Sequence, residues 1–270
     1  MTNKFICPSC KSVLNPKEKA LVCENGHSYD IARQGYVHLL MSNKMHSKNP
    51  GDTKEMVDAR RSFLEKGYYD IFANKICELI EKYGKNAEFI LDAGCGEGYY
   101  SNKYSAVTKA EIVGFDISKF AVKSASAKYK HIDFAVASCF NIPIKENSCD
   151  ILLNVFSPMA ESEFLRVLKK DGIFIYAIPG KRHLFELKEV LYEKPYENEE
   201  KDSEYKGLVL LDRISVKGKI SLSKSEDIWN LFSMTPYYWK TDIKGSQKLK
   251  ETEKLDTEIH FDFLVYQKNK

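Results

Sequence analysis

An apolar segment that runs directly into a glycine-rich turn is the feature that most restricts the fold of this 270-residue chain. In residues 87–104, AEFILDAGCGEGYYSNKY, glycines occupy positions 94, 96 and 98 before a helix begins. Glycine lets the backbone approach a ligand closely, and the N-terminus of the following helix faces that ligand. We therefore predict a strand, a ligand-binding loop shaped by Asp92 and these glycines, and a helix. The loop alone is a weak signal, because other nucleotide-binding loops look similar.

Further strands alternate with helices after this loop. AEIVGFDIS ends at Asp116, which would accept hydrogen bonds from ribose hydroxyls. HIDFAVAS, CDILLNVFSP and GIFIYAIPG follow, with the helix ESEFLRVLKKD before the last of them. The tail from residue 205 adds two strands around a helix that contains Trp229. This order predicts an α/β fold with a doubly wound, Rossmann-like sheet of seven strands and with ligands at the carboxyl ends of those strands.

The chain begins with a cluster of metal-binding residue types. Cys7 and Cys10 form a C-x2-C turn, and Cys23 and His27 follow with C-x3-H spacing. Zinc binds four such ligands in a tetrahedron, and a segment of about 30 residues is too small to fold on apolar burial alone. We therefore predict a structural Zn²⁺ site that supplies the folding energy of a small zinc-ribbon-like module. The alternative is that His27 lies on the surface and the cysteines are incidental.

Composition and charge narrow the class of protein. With 43% hydrophobic and 29% charged residues, no apolar stretch of membrane-spanning length and no signal sequence, a cytoplasmic protein without membrane contact is expected. Seven cysteines without an export signal indicate reduced thiols. Residues 1–48 contain seven basic and three acidic residues, whereas the remainder contains 34 and 35. This local excess favours an anionic partner such as nucleic acid, with a solvated lysine-rich surface as the alternative.

Three segments are predicted from these patterns. Residues 1–40 form the zinc-binding module, 41–83 a linker and helices, and 84–270 the domain built on the Rossmann-like sheet. The polar stretch 41–56 contains Pro50-Gly51 and indicates a mobile linker. From residue 55 to residue 83 the apolar spacing is helical, and Gly67 is expected to divide it into two helices.

The motifs together resemble one enzyme family. LDAGCGEGYY followed by Asp116 is similar to the S-adenosylmethionine-dependent methyltransferases, whereas a nicotinamide enzyme would more usually have a third glycine where Tyr99 stands. The order C-x2-C-x12-C-x3-H, D-x-A-R-x-G-Y-V, GD-x3-EM-x2-ARR-x-FL, LD-x-GCGEGYY, PG-x-RHL-x-ELK and MTP-x-x-W, from Cys7 to Trp239, resembles the bacterial 23S ribosomal RNA guanine-N1 methyltransferases. The zinc module would then help to bind an rRNA hairpin loop.

The resemblance and the motifs together imply a set of cofactor contacts. Tyr69 matches a family tyrosine that covers S-adenosyl-L-methionine, and His183 matches a family histidine on the opposite wall. Packing alone for Tyr69, and a phosphate contact for His183, are the alternatives. The full expected set is Tyr69, Asp92, Gly94, Gly96, Glu97, Gly98, Asp116, Ser138 and His183.

The residues that carry the chemistry are less clear. A general base would lie after the fourth strand or the fifth, where Asn154, Ser157 and His183 are found, and water or the RNA itself are alternatives. Tyr29, Tyr36 and His38 could stack on RNA bases or could pack around the metal. Arg60 and Arg61 point apart on a helix, so at most one is expected to face the ligand.

Two functions from other classes stay open at this point. One is a small-molecule methyltransferase whose zinc module recruits a partner, and the other is a non-catalytic RNA-binding factor, which the full glycine loop disfavours. A homodimer in which two copies hold one hairpin loop is a further arrangement that the sequence leaves open.

Overall fold

The computed structural model describes residues 2–41, 47, 50–199 and 204–269. The N-terminal part contains β1 (Asn15–Lys17), β2 (Ala20–Val22), β3 (Ser28–Asp30) and β4 (Val37–His38). Next come α1 (Lys54–Leu64), α2 (Asp70–Tyr83), β5 (Phe89–Ala93), α3 (Tyr99–Ser105), β6 (Glu111–Asp116), α4 (Lys119–Lys128) and β7 (Asp133–Val136). The remainder comprises β8 (Cys149–Val155), α5 (Glu161–Val167), β9 (Leu168–Pro179), α6 (Phe185–Leu191), β10 (Leu208–Leu222), α7 (Ser225–Ser233), α8 (Tyr237–Lys240), α9 (Ile243–Lys250) and β11 (Leu255–Lys268).

One sheet organises the molecule, with the strand order β10-β11-β9-β8-β5-β6-β7-β4 in the described part of the chain. The strands from β9 to β4 in this order are parallel, whereas β11 is antiparallel to both β9 and β10. β5 is buried throughout its length, as a central parallel strand covered on both faces must be. The glycine-rich loop after β5 therefore opens at the carboxyl edge of the sheet.

The sheet has one strand more than predicted. The seven expected strands are β5 to β11, and the predicted helix with Trp229 is α7. The eighth strand, β4, comes from the N-terminal segment and pairs in parallel with β7 through Val37 and Ala135. A two-residue strand carries no periodicity, so the sequence pattern could not reveal it.

The N-terminal segment packs directly on one face of this sheet. Phe5, Leu14 and Leu21 are fully buried and share a hydrophobic cluster with the sheet residues Phe89 and Val113. The Ile6 N–H donates to the Pro143 carbonyl at 2.9 Å, and the Thr2 N–H donates to the Asp133 carboxylate at 2.6 Å. The N-terminal segment is therefore packed on the sheet through both apolar side chains and backbone hydrogen bonds.

The segment between the zinc-binding residues and the first helix is shorter than expected. Helix α1 begins at Lys54, where the Thr53 hydroxyl accepts a hydrogen bond from the Met56 N–H at 3.4 Å, so the helix overlaps the predicted linker 41–56. Seven residues of that linker, 42–46 and 48–49, lie outside the described residues. The break between α1 and α2 falls at Gly67, which has a φ of +79°, and this prediction is confirmed.

The other face of the sheet is covered by helices. Phe72 of α2 packs on Phe261 and Phe263 of β11, with ring centroids 4.7 and 5.0 Å apart. This contact fixes the start of α2, and with it Tyr69, beside the carboxyl edge of the sheet.

Candidate active site and zinc centre

The four predicted zinc ligands come together in the structure. One ligand atom from each of Cys7, Cys10, Cys23 and His27 lies within 4.8 Å of the other three. The Cys10 and Cys23 sulfurs are 3.6 Å apart, and His27 Nδ1 lies 3.4 Å from the Cys23 sulfur and 3.6 Å from the Cys7 sulfur. A tetrahedral ion with Zn–S bonds of about 2.3 Å requires ligand separations of this size. The donor set and its geometry fit a closed, structural Zn²⁺ site.

Neighbouring polar groups contact Cys7 and favour the ligating form of Cys10. The Tyr29 hydroxyl lies 3.2 Å from the Cys7 sulfur and 3.1 Å from the Ser9 hydroxyl. Hydrogen bonds from Asn25 and Ser12 lower the pKa of Cys10 to about 5. A thiolate at this position is therefore favoured at neutral pH, as metal binding requires.

Two glycines of the glycine-rich loop, Gly94 and Gly98, leave little room for a larger side chain. A Cβ atom at Gly94 would lie 2.4 Å from the Ser157 hydroxyl oxygen, and at Gly98 it would lie 3.1 Å from Ala125, Tyr129 and Phe134. Both glycines have φ near +80°, which side chains rarely allow. Gly96, also at positive φ, lies between them. The loop thus keeps its backbone exposed to a ligand at the end of β5.

Asp116 connects this loop to the end of β6. One carboxylate oxygen accepts the Gly96 N–H at 3.0 Å, and the other accepts the Ser118 N–H at 2.7 Å. Burial raises the pKa of Asp116, while these two hydrogen bonds oppose the rise. Each oxygen keeps a further lone pair, so the carboxylate can accept ribose hydroxyls as well as hold the loop.

Arg60 is the predicted helix arginine that faces the loop. Its guanidinium pairs with Asp52 and donates to the Met234 carbonyl at 3.1 Å, and buried Glu97 lies close enough to interact electrostatically. Burial raises the pKa of Glu97, and the charge of Arg60 opposes this rise. Arg61 instead points to Asp58 at 3.0 Å. The expectation that only one of the two arginines faces the site agrees with these contacts.

Asp92 lies behind the loop. Its carboxylate accepts hydrogen bonds from the Ser101 hydroxyl at 2.6 Å and the Tyr104 hydroxyl at 2.8 Å, both on α3. Burial raises the pKa of Asp92 to about 6. Its position supports a structural role, in which it holds α3 against the end of β5 and so shapes the loop.

Ser138 follows β7 at the same edge of the sheet. Its hydroxyl accepts the Phe140 N–H at 3.2 Å, and its carbonyl accepts the Asn141 N–H at 3.1 Å. These bonds close a turn that leaves Phe140 65% exposed.

Tyr69 and His183 meet on the other side of the loop. The Tyr69 hydroxyl lies 3.4 Å from His183 Nε2, and the His260 N–H donates to His183 Nδ1 at 3.3 Å. Burial lowers the pKa of His183 to about 3, so its ring is neutral at physiological pH. A neutral, buried imidazole is a weak base and a poor partner for phosphate. The structure therefore disfavours both of the alternative roles considered for His183.

Phe156, which the sequence did not single out, forms an exposed wall between these groups. It is 44% exposed, with its ring stacked on Phe72 at a centroid distance of 5.1 Å and 6.3 Å from the His183 ring. Its φ of +51° is uncommon for a bulky residue, and such backbone strain concentrates at functional sites. An aromatic residue after the fourth strand, in the turn FSP, was the available signal.

Asn154 and Ser157 flank this wall. The Asn154 side chain donates to the Pro158 carbonyl at 3.1 Å, while its Oδ1 is buried without a hydrogen-bond partner among the described residues. Such an orphaned acceptor at the carboxyl end of a strand fits a site that a polar ligand completes. Ser157 presses against Gly94, as described above.

Lys188 is a second residue that the sequence pattern did not single out. It is fully buried on α6, donates to the Tyr196 carbonyl at 2.9 Å and to Asn198 Oδ1 at 2.7 Å, and has a pKa that burial lowers to about 8. Asn198 in turn donates to the Gly180 carbonyl at 2.8 Å, beside the turn that carries His183. Its place between Leu187 and Leu191 on the apolar face of α6 was the signal.

The proposed stacking groups near the metal are not free to stack. Tyr36 is 6% exposed and belongs to the hydrophobic core. The Tyr29 hydroxyl contacts the sulfur of the metal ligand Cys7, and His38 is half-buried in β4. The packing alternative therefore holds for Tyr36. Cys95 and Cys149 are buried, whereas Cys139 is only partly buried. Among the described residues, none of the helices has the length and apolarity to cross a membrane.

Comparison with known proteins covers nearly the whole chain. The family description "RlmA, N-terminal", a zinc ribbon, matches residues 5–48, and "Methyltransferase domain" matches residues 85–254. The provisionally named 23S rRNA (guanine-N(1)-)-methyltransferase YxjB of Bacillus subtilis (strain 168) is 32% identical over 97% of this chain and 96% of its own. The 23S rRNA (guanine(748)-N(1))-methyltransferase of Streptomyces fradiae is 33% identical over 68% of this chain and 66% of its own.

These matches agree with the two sites. The methyltransferase match spans the loop and Asp116, which fit S-adenosyl-L-methionine, and the zinc-ribbon match spans the Cys₃His cluster. The chain belongs to the 23S rRNA (guanine-N1)-methyltransferase family.

Proposed function

We propose that this protein transfers a methyl group from S-adenosyl-L-methionine to N1 of a guanine in a hairpin loop of 23S rRNA, in the cytoplasm. The observation that carries the proposal is that the candidate cofactor and substrate groups lie at the same edge of the sheet. The glycine-rich loop, Asp116 and the exposed ring of Phe156 all lie at the carboxyl ends of neighbouring parallel strands. Ligands of doubly wound sheets bind at this edge.

The cofactor side of the site would use the loop backbone and two carboxylates. We assign Gly94, Gly96 and Gly98 to the backbone contact and Asp116 to the ribose hydroxyls. Glu97, Ser138, Tyr69 and His183 would complete the wall, with Asp92 as support. When bound, S-adenosylmethionine supplies an electrophilic methyl group on a sulfonium.

The substrate side would orient a flipped guanine. Phe156 offers one exposed ring face, and the fully buried Asn154 would hold the turn that carries this ring through its hydrogen bond to the Pro158 carbonyl. Alignment of two reactants can lower a barrier by roughly 7 to 11 kcal/mol in favourable cases. The turn from Val155 to Pro158 contains no carboxylate, and His183 is a weak base. We therefore propose that alignment of the guanine with the methyl group supplies most of the rate acceleration, and that the N1 proton passes to water.

The N-terminal segment would hold the RNA. We propose residues 1–40 as a zinc-binding recognition module whose ligands are Cys7, Cys10, Cys23 and His27, followed by a linker and helices in 41–83 and the methyltransferase domain in 84–270. The basic excess of residues 1–48 supports a phosphate contact. Two copies of the protein on one hairpin would extend this surface further.

A labelled-methyl assay tests the function. Wild-type protein and S-adenosylmethionine with a labelled methyl group are incubated with a 23S rRNA transcript or with a metabolite extract. Label should enter the transcript only. A methyl group on N1 blocks base pairing, so reverse transcription should stop at one guanine.

Two variants control this assay. Asp116→Ala should weaken cofactor binding by roughly 1.5 to 3 kcal/mol, which is about 10- to 150-fold, because it removes a hydrogen-bonded carboxylate. Glu146→Ala, an exposed residue in a surface turn, should change nothing. Label in a small molecule, or RNA binding without transfer, would overturn the proposal.

A further inference from the structure

One of the two most exposed aromatic side chains of the described structure lies outside the site described above. Trp239 on α8 is 65% exposed, and Ile243, four residues later, is 90% exposed. Neighbouring exposed apolar side chains form a patch, and an exposed apolar patch often marks an interaction site. The surface formed by Trp239, Lys240, Ile243 and Lys248 is called the α8–α9 rim below.

The α8–α9 rim adjoins the entrance of the cofactor loop. The Met234 carbonyl, just before α8, accepts a hydrogen bond from Arg60 at 3.1 Å. The same guanidinium lies 3.8 Å from the position of a Cβ on Gly96. Trp239 follows Met234 by one short turn and one helix, a path of roughly 1.5 Å per residue. Helix α8, which carries Trp239, therefore begins close to the arginine that faces the loop.

The two faces of α8 have different surroundings. Tyr237 contacts Tyr192 and lies 5.7 Å from the ammonium of buried Lys188. Trp239 is about 200° further around the helix and makes an edge contact with Tyr238 at 5.1 Å. The inner face thus holds α8 in place, and the indole lies on the exposed outer face.

Charge on the α8–α9 rim favours a polyanion. Residues 237–250 contain four lysines and one aspartate, within a chain whose net charge is only +3. Lys244 pairs with Glu193, and Lys250 lies over the Trp229 ring. Lys240 and Lys248 are exposed and have no ion pair within the described part of the chain. Aromatic rings interleaved with free cations form the usual platform for unpaired nucleotides.

We propose that Trp239 stacks on an unpaired base of the RNA substrate while Lys240 and Lys248 contact its phosphates. The inference rests on the proposed function and adds a second RNA contact, on the opposite side of the sheet from the zinc cluster. A loop nucleotide next to the flipped guanine fits the position of the indole. The platform thus selects single-stranded loops over continuous duplex.

Fluorescence can report on this contact without catalysis, because the chain has only two tryptophans. Trp229→Phe leaves Trp239 as the sole tryptophan, and Trp239→Phe leaves Trp229, which packs on Phe232. A single-stranded oligoribonucleotide or a 23S rRNA hairpin should quench the emission of the Trp229→Phe protein. Neither should quench the Trp239→Phe protein, and a blunt RNA duplex should quench neither. Quenching that is equal in both proteins would overturn the platform.

Steady-state methylation of the hairpin gives a second readout. Trp239→Ala should raise the KM for RNA about 5- to 150-fold, the range of one base–aromatic stack, with kcat nearly unchanged. Trp239→Phe should recover most of the loss. Lys240→Gln and Lys248→Gln should each lower the salt dependence of binding by roughly one phosphate contact. An unchanged KM for Trp239→Ala would overturn the platform and leave the proposed function intact.

Two other outcomes are distinguishable. If the wild-type protein binds cofactor but methylates no RNA, the proposed function fails, and the fluorescence titration still decides whether Trp239 stacks on RNA. If sedimentation shows that Trp239→Ala converts a dimer into a monomer, the α8–α9 rim is a contact between two copies and the platform is overturned.

Discussion

The zinc cluster and the cofactor loop both create a ligand site from a turn, but different parts of the chain hold them together. In the zinc cluster the ligands are side chains, and the small strands β1 to β3 around them expose most of their residues. In the cofactor loop the ligand surface is backbone, fixed between buried β5, β6 and α3. Loss of the ligand should therefore unfold the first region and leave the second intact.

Removal of the metal should produce the largest effect. In Cys7→Ser/Cys23→Ser, two of four ligands are lost, and with them a binding free energy on the order of 10 kcal/mol. We expect zinc to fall from one equivalent to less than 0.1 and hairpin methylation to fall by more than about 100-fold, while cofactor affinity changes less than about threefold because the loop does not depend on these side chains.

Elemental analysis and calorimetry with S-adenosylmethionine measure the two quantities. Cys77→Ser, a free cysteine on α2 away from the metal, is the matched control. Point variants are preferable to deletion of residues 1–40, because deletion would also remove strand β4 from the main sheet. Loss of cofactor binding together with zinc would contradict the comparison, since the two regions would then be one folding unit.

The same difference explains what the sequence could predict. The Cys₃His spacing, the glycine positions and Asp116 are local patterns, and each was found by reading a few consecutive residues. β4 and the packing of Phe5 on the sheet depend on contacts across about 100 residues, which no local period records. Phe156 was missed because its importance lies in a strained φ and in its neighbours Phe72 and His183. Long-range packing, rather than local motif, builds the substrate side of the site.

Protonation of Asp92 should have a smaller effect, confined to the loop. Its pKa rises from 3.8 to about 6 on folding, so the folded chain holds this proton more tightly than the unfolded chain. The stabilisation is fully present below pH 3.8 and is lost as pH rises through about 6. A shift of about two pKa units corresponds to about 3 kcal/mol.

Urea unfolding between pH 4 and pH 7 tests this. Relative to Asp92→Asn, the wild-type free energy of unfolding should decrease by up to about 3 kcal/mol as pH rises through this interval. Tyr104→Phe removes a hydrogen bond that opposes the rise in the pKa of Asp92. The free energy of unfolding of this variant should therefore continue to decrease up to a higher pH than that of the wild type. Parallel pH profiles for wild type and Asp92→Asn would show that Asp92 is solvated and does not support α3.

The smallest effect is expected from Tyr29, which contacts a metal ligand but does not itself bind the metal. The Tyr29 hydroxyl lies 3.2 Å from the Cys7 sulfur, and Tyr29→Phe removes this partner while keeping the ring. Outer hydrogen bonds to a metal ligand change affinity by roughly 10- to 100-fold. We expect about a 10-fold loss in zinc affinity, at the lower end of that range, because four ligands remain and the cluster keeps its hydrogen bonds from Asn25 and Ser12.

Competition with a chelator of known affinity measures the loss. Tyr36→Phe, whose ring lies in the hydrophobic core, should bind zinc as the wild type does. If Tyr29→Phe also matches the wild type, the side-chain ligands alone hold the metal, and the contrast with the backbone-built cofactor loop becomes sharper.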